Sequence, residues 1–183
     1  RFVFALGYKS EIITAYITKN YPGIDAVFSI EQQPLGTGGA ISLALHKALS
    51  QHVLILNGDT FFDIDTKSLF EFHRSMQADC TLALKRMYEI SRYGTVVING
   101  KQRIVEFLEK KYCDTGLING GIYIVNCDKM VSEHFSEVWS FEKDYLEKLI
   151  HKHRIFGMEQ NKYFIDIGIP EDFARAQSEL INL

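Results

Sequence analysis

The chain has 183 residues, of which 46% are hydrophobic and 23% are charged, and its formal net charge is −3. These values are ordinary for a globular domain with one core, and they exclude the polybasic surface typical of nucleic-acid or acidic-membrane binding. No run of about 18 apolar residues predicts a transmembrane helix. The three cysteines, Cys80, Cys113 and Cys127, lack metal-ligand spacing, which favours free thiols in a reducing, cytoplasmic location.

The first half of the chain alternates between strand-like and helical patterns. Strands are predicted at Phe2–Leu6, Ala26–Ile30 and residues 53–56, the last as a buried strand. Helices are predicted at residues 9–20 and 40–49, and a third is predicted after Asp65, which is a good N-cap. This order is typical of a parallel sheet covered by helices on both sides.

The second half predicts more strands and fewer crossovers. The predicted strands are residues 80–87, Thr95–Ile98, Ile104–Leu108 and residues 118–125, and Asn99-Gly100 indicates a hairpin between two of them. Helices are predicted near residues 128–135, 142–151 and 170–180, the last starting at Pro170. No linker or repeat interrupts the chain, so we expect one domain over residues 1–183: an α/β half followed by a mixed-sheet half.

Two aspartates follow apolar strand-like runs. Asp59 follows residues 53–56 in the turn Asn57-Gly58-Asp59, and Asp166 follows Tyr163-Phe164-Ile165. Ligands and metal ions bind at the carboxyl ends of strands in α/β sheets, and Mg²⁺ takes one or two carboxylates plus substrate phosphates. The pair therefore predicts a Mg²⁺ site, although each aspartate alone could be a solvated turn residue.

The segment from Gln33 to Ala40 contains Gly36-Thr37-Gly38-Gly39 between a strand and a helix. Glycines allow a ligand to approach the backbone, and helix N-terminal amides can donate hydrogen bonds to it. The spacing is neither a Walker loop nor a dinucleotide fingerprint. By itself the segment is therefore interpreted as a turn.

Other charged residues also have plain structural explanations. Glu109-Lys110 reads as a solvated strand end, and Glu142 lies suitably near a helix N-terminus after Ser140. His151 and His153 are predicted to be surface residues. No Gly-x-Ser-x-Gly or paired Cys and His demands covalent catalysis.

Taken in order, these segments resemble the sugar-1-phosphate nucleotidyltransferases over roughly residues 1–180. Among that family the chain looks most like the D-glycero-α-D-manno-heptose 1-phosphate guanylyltransferases, with the mannose-1-phosphate guanylyltransferases close behind. The segments that carry the resemblance are Pro34-Leu35-Gly36-Thr37-Gly38-Gly39-Ala40, Asn57-Gly58-Asp59, Tyr93-Gly94, Phe107-Leu108-Glu109-Lys110, Ile118-Asn119-Gly120-Gly121-Ile122-Tyr123, Ser140-Phe141-Glu142-Lys143-Asp144 and Phe164-Ile165-Asp166-Ile167-Gly168-Ile169-Pro170-Glu171-Asp172.

The resemblance implies a fold, a reaction and a set of site residues. The fold would be a Rossmann-like, three-layer α/β domain of the GT-A-like kind with a mostly parallel mixed sheet. A sugar 1-phosphate would attack the α-phosphorus of a nucleoside triphosphate, GTP by subfamily, and release pyrophosphate. The implied catalytic residues are Asp59, Lys110 and Asp166, with Mg²⁺ on the two aspartates, and the implied substrate-binding residues are Gln33, Gly36, Thr37, Gly38, Gly94, Glu109, Asn119 and Lys143.

In these implied roles Lys110 holds the sugar phosphate and Glu109 its sugar hydroxyls. Gly94 contacts the sugar through its backbone, Gln33 and Gly38 lie where the base is recognised, and Lys143 is a further phosphate contact. The family's glycine-rich triphosphate loop would precede Phe2. We therefore expect an N-terminal unit of roughly 30–50 residues to be missing, which leaves the triphosphate site incomplete. The resemblance also allows a homodimer.

Several alternatives stay open at this stage. The sugar could be mannose or another hexose, since the pocket wall that distinguishes the sugars cannot be located from the sequence. A relative that lost the triphosphate loop could be a non-catalytic regulatory subunit that binds a sugar nucleotide. A glycosyltransferase would need an Asp-x-Asp metal motif, and Asp63-Ile64-Asp65 offers the spacing, although Asp65 is better explained as a helix cap.

Overall fold

The computed structural model describes residues 1–182, which divide into two compact units. The first unit consists of Arg1–Val53 and Asn126–Leu149, and the second consists of Leu54–Val125 and the chain from Ile150 onward. None of the helices in the described part of the chain combines the length and hydrophobicity that a membrane crossing requires.

The first unit is built on a pair of parallel strands. β1 (Phe2–Leu6) pairs with β2 (Ala26–Ile30) in register from Phe2 opposite Ala26 to Leu6 opposite Ile30, and α1 (Ser10–Asn20) connects them. α2 (Gly36–Leu45) packs against both strands. The chain re-enters this unit through α4 (Cys127–Val131) and a π-helix (Phe141–Glu147) that packs against α2.

Two helices of this unit differ from their predicted form. α2 begins at Gly36, inside the glycine segment that we interpreted as a turn, rather than at Ala40. The predicted helix over residues 142–151 is a π-helix over Phe141–Glu147, and the Ser140 side chain caps it by accepting the backbone N–H of Lys143. Its side chains Phe141 and Tyr145 are fully buried and stack at 5.4 Å between ring centroids.

The second unit contains a mixed sheet. β5 (Cys80–Ile90), β6 (Thr95–Ile98), β7 (Ile104–Leu108), β8 (Cys113–Asn126) and β9 (Ile155–Glu159) lie in the order β7-β6-β8-β5-β9. β3 (His52–Leu56), which enters this unit at Leu54, also pairs with β8. β4 (Thr60–Phe62) and β10 (Phe164–Asp166) form a separate antiparallel pair, and α3 (Thr66–Ser75) and α5 (Pro170–Glu179) complete the unit.

The predicted α/β class with a mixed sheet is confirmed, but antiparallel pairing is more frequent than we expected. β1–β2 and β5–β9 are parallel, whereas β5–β8, β6–β7, β6–β8 and β4–β10 are antiparallel. The reason is the long strand β8. It runs antiparallel to both β5 and β6, and the β6–β7 hairpin then extends the sheet in the same antiparallel pattern.

The core of the second unit lies on β5 and its neighbours. Leu82, Leu84, Ile118 and Ile155 have no exposed surface. A second cluster joins Phe62 to Leu69, Ala83, Ile122 and Ile124, and Phe164 contacts the Phe62 ring edge-on at 5.4 Å. This cluster fixes the β4–β10 pair, which carries the aspartates, to the sheet.

Two burial predictions are wrong. β3 was predicted to be a buried strand, yet Leu54 and Leu56 are exposed. His153 was predicted to lie at the surface, yet it is only 4% exposed, and its Nδ1 lies 3.4 Å from Asp79 Oδ2. Burial next to a carboxylate satisfies a polar ring that would otherwise lose its hydrogen bonds to water.

Candidate active site

The structure brings Asp59 and Asp166 together on one strand pair. Asp166 is the last residue of β10 and lies opposite Thr60, the first residue of β4. Asp59 immediately precedes Thr60, so it neighbours the residue that pairs with Asp166. The backbone N–H of Ile167 donates to the carbonyl of Asp59 over 2.9 Å. The aspartates meet because β4 and β10 are antiparallel, so that the start of one strand adjoins the end of the other.

Local hydrogen bonds orient both carboxylates. Asp166 Oδ1 accepts the backbone N–H of Gly168 over 2.7 Å, and Asp59 Oδ1 accepts the Thr60 hydroxyl over 3.3 Å. Asp59 is exposed and Asp166 is half-buried. Neither carboxylate has an ion-pair partner within 4.0 Å among the described residues, so both remain able to accept a cation.

A bulge in β8 holds the turn that precedes Asp59. Pairing between β5 and β8 changes register between Leu82 and Leu84, and Gly121 adopts a φ of +72° in this region. The carbonyl of Gly121 accepts the Asn57 backbone N–H over 2.9 Å, and a Cβ on Gly121 would lie 3.0 Å from Asn57 Nδ2. A glycine is needed at this position because of both its conformation and this close approach.

The donor set fits a metal ion that takes its remaining ligands from substrate. No cluster of three or more His, Cys, Asp or Glu residues that could hold a metal occurs within residues 1–182. Two carboxylates supplemented by phosphate oxygens and water are what Mg²⁺ commonly uses, whereas Zn²⁺ would require more protein ligands. Asp59 and Asp166 are therefore suitable for Mg²⁺ bound together with a nucleotide.

A cavity of about 230 Å³ opens beside Asp166. Its walls include Arg92, Tyr93, Phe164, Asp172 and Arg175. Burial, followed by the nearby charge of Asp166, raises the pKa of Tyr93 to about 12, so the phenol keeps its proton at neutral pH. The sequence motifs gave no role to Arg92, Tyr93 or Asp172, although Tyr93-Gly94 and the acidic first turn of α5 were signals for this region.

Three of the predicted substrate-binding residues lie in one row across the neighbouring strands β7, β6 and β8. Thr95 of β6 is opposite both Leu108 of β7 and Ile118 of β8. Because both pairings are antiparallel, the next positions, Gly94, Glu109 and Asn119, extend the same row. A Cβ on Gly94 would lie 2.7 Å from the Leu108 carbonyl oxygen, so this position requires glycine.

The side chains in this row differ in what they can do. Glu109 and Lys110 are exposed, as is Lys111. The Asn119 amide is already used within the protein: its Nδ2 donates to the Tyr123 hydroxyl over 2.8 Å, and its Oδ1 accepts the Gly121 N–H over 3.0 Å. Asn119 therefore shapes the β8 bulge, while Glu109 and Lys110 are the side chains here that remain accessible to a ligand.

In the first unit, Trp139 packs closely against the glycine segment, at Gly36 and Gly38. A Cβ would lie 2.5 Å from the Trp139 carbonyl oxygen at Gly36 and 2.1 Å from the indole Cε3 at Gly38. The Gly38 N–H donates to the Trp139 carbonyl over 3.0 Å, and the Trp139 N–H donates to the Leu35 carbonyl over 3.0 Å. These glycines accommodate a tryptophan of the same chain, which their sequence pattern gave no means of anticipating.

A hydrogen-bonded cluster links Thr37 to the start of the π-helix. The Thr37 hydroxyl donates to Glu142 Oε2 over 2.7 Å and accepts the Phe141 N–H over 2.9 Å, and the Ser140 hydroxyl donates to the same Glu142 oxygen over 3.2 Å. Glu142 thus has a structural role, as the sequence interpretation favoured.

The remaining predicted residues of this unit, Gln33 and Lys143, are exposed. Gln33 Nε2 donates to Glu137 Oε1 over 3.2 Å. This surface contact can be exchanged for a ligand at little cost, because water competes with it in the free protein.

The comparisons with known proteins agree with this architecture. Residues 3–182 match the family model described as nucleotidyl transferase. The chain is 48% identical over 178 residues to a D-glycero-α-D-manno-heptose 1-phosphate guanylyltransferase from Aneurinibacillus thermoaerophilus, covering 97% of this chain and 77% of that protein. It is 40% identical over 171 residues to an enzyme of the same name from Campylobacter jejuni, covering 93% of this chain and 75% of that protein.

A solved structure extends the likeness to three dimensions. The crystal structure of HddC from Yersinia pseudotuberculosis complexed with GMP-PN matches with a TM-score of 0.86 and 32% sequence identity, covering 98% of this chain and 78% of that one. The resemblance inferred from the sequence motifs is therefore confirmed: the chain belongs to the nucleotidyl transferase family.

Proposed function

We propose that this protein is a sugar-1-phosphate guanylyltransferase. It transfers GMP from GTP to D-glycero-α-D-manno-heptose 1-phosphate and releases pyrophosphate. The observation that carries the proposal is the 48% identity, over almost the whole chain, to an enzyme named for this reaction. The adjacency of Asp59 and Asp166 on the β4–β10 pair supports the chemistry, because such a transfer needs a site for a cation beside the reacting phosphates.

Asp59 and Asp166 would hold Mg²⁺, which when bound neutralises charge on the phosphates. The Lys110 ammonium would neutralise and position the phosphate of the attacking sugar, acting as a point charge on an exposed segment. Glu109 would accept hydrogen bonds from sugar hydroxyls, and the Gly94 backbone would contact the sugar. Because the attack is in line, the contribution of these groups is orientation and charge stabilisation, with no covalent protein intermediate.

The nucleotide contacts proposed in the first unit belong to Gln33, Gly36, Thr37, Gly38 and Lys143. Gln33 offers an exposed amide for recognition of a base edge. Gly36, Thr37 and Gly38 form the first turn of α2, whose shape is fixed by Trp139 and Glu142. Lys143 presents an exposed ammonium for a phosphate.

Mannose 1-phosphate is the second candidate substrate. The chain is 32% identical to the mannose-1-phosphate guanylyltransferase of Mycobacterium tuberculosis, and the match covers 87% of this chain and 45% of that protein. Because this identity is lower than the 48% identity to the heptose 1-phosphate enzyme, heptose 1-phosphate is the favoured substrate. A glycosyltransferase is disfavoured, because Asp65 Oδ1 accepts the backbone N–H groups of Lys67 and Ser68 and so caps α3 instead of completing an Asp-x-Asp metal site.

The proposal places the reaction in the cytoplasm, where GTP and reduced thiols coexist; Cys80, Cys113 and Cys127 are all free. A homodimer remains a prediction that oligomeric-state measurements would test. A non-catalytic regulatory homologue has no need for paired metal carboxylates, and so the Asp59–Asp166 pair argues against that alternative.

The test is a substrate panel run on the full-length protein. GTP, ATP, CTP and UTP are combined with heptose, mannose, glucose and galactose 1-phosphates, and pyrophosphate release is followed. We expect the highest kcat/KM for GTP with the heptose. Higher kcat/KM for mannose 1-phosphate would replace the assigned sugar, and binding of the nucleotide sugar without any turnover would favour the regulatory alternative.

A further inference from the structure

Arg92 lies between α5 and Tyr93 and contacts both. Its Nη1 donates to Asp172 Oδ2 over 2.5 Å, and its Nη2 donates to the Tyr93 hydroxyl oxygen over 3.3 Å. The guanidinium carbon also lies 5.4 Å from the centroid of the Tyr93 ring, within the range of a cation–π contact. Each terminal nitrogen therefore has a partner inside the protein, which indicates a structural brace rather than a group that waits for substrate.

Asp172 is itself held in place, so it is a firm anchor for Arg92. Its other oxygen, Oδ1, accepts Arg175 Nη1 over 2.8 Å, and the aspartate side chain is only 13% exposed. Asp172 belongs to the first turn of α5, which begins at Pro170. The position of Arg92 is thus defined by a helix that starts four residues after Asp166.

The contact with Arg92 determines what the Tyr93 hydroxyl can do. A phenol has one proton and two lone pairs, and Arg92 donates to a lone pair. The single proton is left to donate to another acceptor. Tyr93 and Asp166 line the same cavity, so the Asp166 carboxylate is an acceptor toward which this proton can be directed. Asp166 Oδ1 already accepts the Gly168 N–H, and a second donor on the cavity side would fix the plane of the carboxylate.

We propose that Arg92 is a positioning residue, which braces Tyr93 so that the phenol orients Asp166 for cation binding. This inference rests on the proposed function, since it takes Asp166 to be a metal ligand. The physical basis is general: carboxylates that bind metals are themselves hydrogen-bonded, and loss of an outer partner lowers metal affinity or activity about 10- to 100-fold.

The experiment measures Mn²⁺ binding to the full-length protein in complex with a non-hydrolysable GTP analogue, using electron paramagnetic resonance of free Mn²⁺. Arg92→Gln should weaken Mn²⁺ binding about tenfold. It should raise the Mg²⁺ concentration for half-maximal rate, while kcat at saturating Mg²⁺ stays within about threefold of the parent.

Tyr93→Phe, which removes only the hydroxyl, should weaken Mn²⁺ binding to a similar extent. Because Arg92 acts through that hydroxyl, the double variant Arg92→Gln/Tyr93→Phe should be no worse than Tyr93→Phe alone.

Arg86→Gln is the matched control. Arg86 makes a bidentate ion pair with Glu159 in the same unit, in which Nε donates to Oε1 over 2.8 Å and Nη2 donates to Oε2 over 2.7 Å. Arg86 does not line the cavity. Its loss should lower thermal stability without changing Mn²⁺ affinity. If Arg92→Gln behaves like this control, or if the effects of Arg92→Gln and Tyr93→Phe on Mn²⁺ affinity are additive, the proposed positioning role of Arg92 is refuted.

Asp166→Asn separates this inference from the function on which it rests. If Asp166→Asn weakens Mn²⁺ binding and Arg92→Gln does not, only the positioning role fails. If Asp166→Asn leaves Mn²⁺ binding unchanged, the metal assignment fails and the positioning role fails with it.

Discussion

Gly168 donates its backbone N–H to Asp166 Oδ1 over 2.7 Å, and a Cβ on Gly168 would lie 2.9 Å from that same oxygen. The glycine therefore both orients the carboxylate and leaves it room. A methyl group there must displace either the carboxylate or the backbone.

Gly168→Ala should lower activity about tenfold through the misplaced Asp166 carboxylate, an effect of the size seen when the support of a metal ligand is lost. The rate should recover in part at high Mg²⁺. Gly100→Ala is the control, because a Cβ on Gly100 meets nothing within 4 Å. Unchanged Mg²⁺ dependence in Gly168→Ala would show that the orientation of Asp166 does not matter for turnover.

Asp59→Asn should reduce kcat by about 100-fold or more while the protein stays folded, because an anionic ligand at the reacting phosphates contributes several kcal/mol. Asp63→Asn is a suitable control, since Asp63 is an exposed aspartate of the same region. Turnover is measured by pyrophosphate release, and folding by circular dichroism. Near-parental turnover of Asp59→Asn in Mg²⁺ would remove Asp59 from the set of metal ligands.

Lys110→Ala should raise KM for the sugar 1-phosphate far more than KM for GTP. An ammonium facing a phosphate contributes about 1.5–3 kcal/mol, which corresponds to roughly 10- to 100-fold. Lys111→Ala, at the neighbouring exposed position, should be nearly silent. Steady-state kinetics with each substrate varied in turn makes the comparison, and equal losses for both substrates would contradict the assignment.

Gly38→Ala should destabilise the first unit, because the added methyl would lie 2.1 Å from the buried Trp139 ring. Overpacking of this kind costs about 1–3 kcal/mol. Combining it with Trp139→Leu, which frees space, should make the methyl group less costly. Chemical denaturation measures both, with Gly23→Ala as a control in open surroundings. An equal cost of the methyl group with and without Trp139 would mean that the indole is not the obstacle.

Asp65→Asn should change how stability depends on pH. The backbone N–H of Ser68, followed by its hydroxyl and by Lys67, holds the pKa of Asp65 below its ordinary value of 3.8. A carboxyl whose pKa is depressed by folding contributes stability above its unfolded pKa, and this contribution is lost as the pH falls through the folded pKa. The parent should therefore exceed Asp65→Asn in stability near pH 6, and the difference should vanish in acid. A difference that persists below both pKa values would exclude the charge as its source.

Local sequence signals determined much of the secondary structure. Asp65 caps α3, Pro170 starts α5, and the Asn99 side chain accepts the N–H groups of Lys101 and Arg103 in the predicted hairpin. Each signal works because the groups that it joins lie within four residues of one another. The aspartates at the ends of apolar segments could be picked out for the same reason.

Only the tertiary structure decided which of these residues meet. Asp59 and Asp166 adjoin because β4 pairs with β10, which lies more than a hundred residues further along the chain. Gly36 and Gly38 must be glycine because Trp139 occupies the space that a Cβ would need. Likewise Arg92 reaches Asp172 across 80 residues, and the burial of His153 depends on Asp79. Such contacts arise from the packing of whole elements, a free energy summed over many side chains, so no local pattern specifies them.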